Sequence, residues 1–64
     1  MVGSQIREWR WAHHLSQPQL AAHLNVTVLT IRRWEADYQS PPGFLRLALE
    51  RLDQLLVAQP QEVA

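Results

Sequence analysis

The stretch from Ser16 to Glu35 constrains this chain more than any other. Ser16-Gln17-Pro18-Gln19 sets a hydroxyl three residues ahead of an amide side chain. At that spacing each covers the other's backbone N–H and a helix begins. Pro18 falls in the first turn, where its missing donor costs little. Leu20, Ala21 and Leu24 then form a short inward face, and Asn25, tolerant of the left-handed conformation, closes the helix. Val26 resumes the apolar pattern. Thr27 caps a second short helix reaching Glu35, in which Ile31 and Trp34 or Glu35 face inward. Ala21 is the small residue that two crossing helices need, and Val26 with Ile31 plugs the gap between them.

The flanking segments also read as helix, since strand alternation is missing and Pro and Gly punctuate only a few places. Ser4 is expected to cap a first helix that runs to His13 or His14. Ile6, Trp9, Arg10 and His13 share one of its faces, and Trp11 falls off that stripe. Ala36 to Ser40 reads as a loop closed by Pro41-Pro42-Gly43, which favours a new helix and forbids continuing the old one. The last helix is expected from about Phe44 to Val57 or Ala58. Leu45, Ala48, Leu49, Leu52, Leu55 and Leu56 cover one face, while Phe44 and Leu47 widen the apolar arc to roughly 200°, twice that of a helix with one wet side. Gln59 to Ala64, with Pro60 near its start, reads as a frayed tail. The fold class is therefore all-α: a compact bundle of four helices, five at most, containing a helix-turn-helix. Residues 1–58 form the domain and 59–64 the tail.

Sixty-four residues make one small domain, which buries only about 60% of its unfolded surface. Such a core has little volume for a pocket, so the chain reads as a binding module and not as an enzyme. Glu8, Glu35, Asp37 and Glu50 scatter over different elements, and no nucleophile stands beside a base. With no cysteine, disulfides and thiolate metal sites are excluded. His13 and His14 are adjacent and point about 100° apart on a helix, and His23 stands on another, so no metal site and no cofactor are expected. The absence of an apolar run of membrane length or a signal-peptide core makes a cytoplasmic location the default, with no membrane partner.

Charge argues mildly against nucleic acid, because six arginines balance six acids and lysine is absent. All six arginines lie in residues 1–52, against four acids there. Where the arginines point matters more than the total.

Taken together, Ile6-x-x-Trp9-Arg10, Leu15-Ser16-Gln17-x-x-Leu20-Ala21-x-x-Leu24-x-Val26-Thr27, Thr30-Ile31-Arg32-Arg33-Trp34-Glu35 and Pro41-Pro42 resemble the phage-repressor/Cro-like helix-turn-helix family. The resemblance covers Ile6 to Leu52. It implies a transcriptional regulator, a repressor on a palindromic operator, that binds double-stranded DNA as a homodimer with half-sites one helical turn apart. It also implies roles by position. Gln17 would touch a backbone phosphate and brace the recognition helix, where exposed N-terminal amides also suit an anion. Thr27 opens that helix; Val28, Leu29 and Thr30 would be its first base-facing residues and Arg33 a later one. Arg32 would lie nearer phosphate, as would Tyr38 in its loop. Arg10 and Glu35 would form a mostly buried pair linking two helices.

Two features depart from the family's habit. Val28 and Leu29 cannot hydrogen-bond base edges, so they would pack on thymine methyls and leave polar readout mainly to Arg33. The loop lacks lysines, which points to modest affinity and a shallow salt dependence. Trp9 and Trp34 sit at core spacing; Trp11 either covers a neighbouring helix or lies in a subunit interface. The dimer interface is expected on the last helix, at Phe44, Leu47, Leu55 and Leu56, and on the tail. The alternative is a protein-interaction module, such as an antitoxin, whose last helix clamps a toxin or another regulator. Neutral charge and the Val28-Leu29 pair favour that alternative.

Overall fold

The computed structural model describes residues 1–58. Four helices follow one another: α1 (Gly3–Ala12), α2 (Gln17–Leu24), α3 (Val28–Glu35) and α4 (Leu45–Ala58), with no strand among the described residues. None of these helices is long and apolar enough to cross a membrane. The expected fraying of 59–64 lies outside the described residues.

Local chemistry explains the middle of the chain. Ser16 Oγ accepts from Gln19 N–H (3.2 Å) while Gln19 Oε1 accepts from Ser16 N–H (2.8 Å), so the reciprocal cap forms as its spacing requires. Asn25 adopts the left-handed conformation at φ 58°, and Thr27 caps α3 by accepting from Thr30 N–H (3.2 Å). The exits of α1 and α3 use the same device without glycine: His14 and Asp37 both stand at φ 57°. His, Asn and Asp are the non-glycine residues that enter this region most readily.

The start of α1 differs from expectation. Ser4 is not its cap. The helix begins at Gly3; Gln5 Oε1 accepts from Val2 N–H (3.0 Å), and Asp37 Oδ1, 34 residues away, accepts from Gly3 N–H (2.8 Å). A carboxylate at a helix N-terminus also complements the helix dipole. The last helix starts at Leu45, with Phe44 in the turn before it.

Ile6, Leu20, Ala21, Ile31, Trp34, Leu45, Leu49 and Leu52 form one buried cluster, against which Trp9, Leu15, Leu24, Val26, Val28 and Leu56 pack. Residues 45, 49 and 52 stand at i, i+4 and i+7, so α4 delivers one stripe to a core built by the first three helices. Because one stripe suffices, the rest of its wide apolar arc faces out. Phe44, Leu47 and Leu55 are exposed, whereas Leu56 is half-buried against the core. Leu56 is therefore assigned to packing.

Candidate nucleic-acid interface

The outer surface of α3 follows from the residues it buries. Ile31, Trp34 and Glu35 face inward, which turns Leu29, Arg32 and Arg33, at i, i+3 and i+4, to solvent together. Leu29 is half exposed at 50%. Thr30 flanks this face, half-buried, its hydroxyl 2.9 Å from that of Thr27. Val28, on the opposite flank, packs against the core and offers only part of its surface. Tyr38 stands beyond the helix, 83% exposed, anchored by its own N–H donating to Arg33 O (2.9 Å).

Glu35 organises what lies behind that face. Arg10 grips its carboxylate with two donors, Nε to Oε2 at 2.7 Å and a terminal NH2 to Oε1 at 3.1 Å, and donates a third bond to Leu15 O (3.0 Å). The expected Arg10–Glu35 pair thus forms, with both side chains largely removed from solvent. Gln17 Nε2 reaches the same carboxylate at 3.2 Å, so Gln17 does brace α3 against α2. Arg7, which sequence reasoning overlooked, lies 3.8 Å from Glu35 Oε1 and donates to Glu35 O at 3.0 Å. Two helices, α1 and α2, are thereby locked to the C-terminal end of α3. The start of α2 is less open to an anion than its sequence suggests: Pro18 has no N–H and that of Gln19 is taken by Ser16.

The arginines divide clearly. Arg7 and Arg10 serve Glu35, Arg46 lies 3.7 Å from Glu50, and Arg51 donates to Gln54 (3.4 Å). Among the described residues, Arg32 and Arg33 have no acidic or amide partner, and they share one exposed face.

No family model, curated protein or solved structure matches the chain. What the site can do is therefore read from its own geometry. That geometry brings Thr27, Leu29, Thr30, Arg32 and Arg33 to one helix, sets Tyr38 beside it and holds Gln17 behind it. Trp34 is buried and Trp9 half-buried in the cluster's margin, while Trp11 is 58% exposed and not part of that cluster. The Arg7 and Arg10 guanidiniums each lie 5.9 Å from the Trp11 ring, a distance within cation–π reach. Asp37 and the contact between His13 and Asp53 were also missed, because both join residues far apart in sequence.

Proposed function

We propose that this chain is a sequence-specific regulator that binds double-stranded DNA through a helix-turn-helix made of α2 and α3. The observation that carries the reading is that Arg32 and Arg33, without a carboxylate partner among the described residues, stand together on the outer face of a helix braced by the Glu35 network. A B-DNA major groove is about 12 Å wide and admits one helix. With α3 in it, Arg33 meets guanine O6 and N7, Leu29 packs on a thymine methyl, and Arg32 and the Tyr38 hydroxyl reach phosphates. Gln17 acts mainly as the brace. The rigid brace matters because side chains that specify bases must hold their register on the duplex.

A second copy completes the reading. Phe44, Leu47 and Leu55 lie on one side of α4 and are 68%, 66% and 47% exposed. An apolar face of this kind on so small a domain gains stability from pairing, and a two-fold pair would set two α3 helices on successive turns of a palindromic operator. Occupancy of that operator would repress a neighbouring promoter, and the setting is cytoplasmic.

Selection of bound duplexes from a random library tests both claims. The expected result is a palindrome with half-sites about 10–11 base pairs apart; no enrichment at low salt sinks the DNA reading. It would instead favour the protein-interaction alternative, with the α4 face as the docking surface. Arg33→Ala should relax preference at one base position by about 1–3 kcal/mol, roughly 5- to 150-fold. Arg32→Ala should weaken all sequences alike and reduce the salt slope by about 1. Leu47→Glu should leave the circular-dichroism spectrum unchanged yet convert the sedimenting species to monomer. A dimer that survives Leu47→Glu would move the interface off this face.

A further inference from the structure

A polar contact between α1 and α4 lies outside the surfaces described so far. His13, the residue after α1, has its Nε2 2.5 Å from Asp53 Oδ1 on α4 and its Nδ1 2.8 Å from Trp9 O. Both partners are acceptors, and a neutral imidazole can donate only once. The pair of contacts is satisfied in full only when the ring carries two protons. The ring also stacks on Trp9, with centroids 3.9 Å apart and planes 19° from parallel, an arrangement that favours a cation over an indole.

Among the described residues, the surroundings leave Asp53 as the charge that acts on this ring. Glu50, one turn earlier on α4, lies toward Arg46, and Arg10 on α1 is committed to Glu35 and Leu15 O. His14 follows in an exposed position with left-handed backbone.

We infer that His13 and Asp53 form a proton-dependent clasp that seats α4 on the domain and lets acidity tune how firmly the Phe44, Leu47 and Leu55 face is presented to a second copy. The seating stands on the geometry above; its consequence for pairing rests on the dimer proposed for α4. Burial, the largest single influence, disfavours the charged ring. The Asp53 hydrogen bond, the Trp9 carbonyl and the Asp53 charge together outweigh it, and His13 titrates above the ordinary 6.5. A group whose affinity for protons rises on folding stabilises the fold fully below its unfolded value. That contribution disappears as pH climbs through the folded value.

The full chain is followed by NMR across about pH 5.5 to 8.5, the range in which histidine changes charge. Two readouts are taken: the His13 ring signal, resolved from His14 and His23, and α4 amide exchange corrected for its intrinsic rate. The His13 midpoint should lie above 6.5 and fall in Asp53→Asn, whose half-exposed side chain makes the variant a mild one. Protection of α4 should drop as pH rises, by up to about tenfold per unit of elevation, and should become flat with pH in both Asp53→Asn and His13→Gln. A midpoint at or below the ordinary value, or a pH slope that survives both variants, overturns the clasp. Sedimentation over the same range separates the second claim: association should strengthen in acid. A pH-dependent α4 with pH-independent association overturns the link to pairing and leaves the clasp in place.

Discussion

Glu35→Ala is expected to unfold much of the population at room temperature. Its carboxylate is 5% exposed and receives two donors from Arg10, one from Gln17 and a longer contact from Arg7. Removing it strands the Arg10 guanidinium, itself only 11% exposed, without a counter-charge. Breaking one partner of a buried pair costs about 3–5 kcal/mol. A domain of this length holds only about 3–10 kcal/mol in total. Thermal unfolding followed at 222 nm should show the midpoint falling by at least about 12 °C, since each kcal/mol moves it by about 4–8 °C at this size. Replacing both partners by apolar residues, as in Arg10→Met with Glu35→Leu, should recover much of the loss, because no charge is then left buried alone. A Glu35→Ala midpoint within a few degrees of the parent would mean that the network contributes little and that the apolar core alone holds α3.

Gly3→Ala is expected to be the most damaging change of a single methyl. A Cβ at position 3 would lie 2.3 Å from Glu35 O, 2.6 Å from Glu35 C and 2.6 Å from Trp34 O. All three are backbone atoms and cannot rotate away. Either the first turn of α1 unwinds, losing the Asp37 cap, or α1 lifts off the end of α3. Overpacking of this kind costs about 1–3 kcal/mol, and the better helix propensity of alanine offsets at most about 1 kcal/mol of it. Gly43 supplies the control: a Cβ there meets nothing within 4 Å, and its φ is not positive. Gly43→Ala should be neutral or stabilising by up to about 1 kcal/mol, through loss of freedom in the unfolded chain. Urea midpoints for the two variants decide the matter. Equal midpoints would mean that α1 rides over α3 with room to spare.

The inner helices were legible because their signals are short-ranged. Ser16 with Gln19, Asn25, and Thr27 with Thr30 act across three residues or within one, so spacing alone reveals them. On α3, with Ile31 and Trp34 inside, helical geometry leaves Leu29, Arg32 and Arg33 outside, whereas the base-facing set Val28, Leu29, Thr30 and Arg33 rested on the family resemblance alone. Val28 and Leu56 were harder to place. Each lies at the edge of an apolar arc, and periodicity does not say which edge a neighbour covers. The start of α1 misled for a different reason. Ser4 has the chemistry of a cap, but the Gly3 N–H had a better acceptor in Asp37, brought there by the turn after α3.

Local sequence chemistry alone determined the number of helices, the ends of α2, the start of α3 and the inward stripes of α1, α2 and α3, since caps and helical periodicity act over one or two turns. Tertiary structure alone decided that Asp37 caps α1, that Gly3 must lack a side chain, that Arg7 joins Arg10 on Glu35, that His13 meets Asp53, and that Leu56 packs while Leu55 stays exposed. Those outcomes depend on segments up to 40 residues apart arriving at the same place. Burial then makes each group's best partner whichever one the packed core brings within reach.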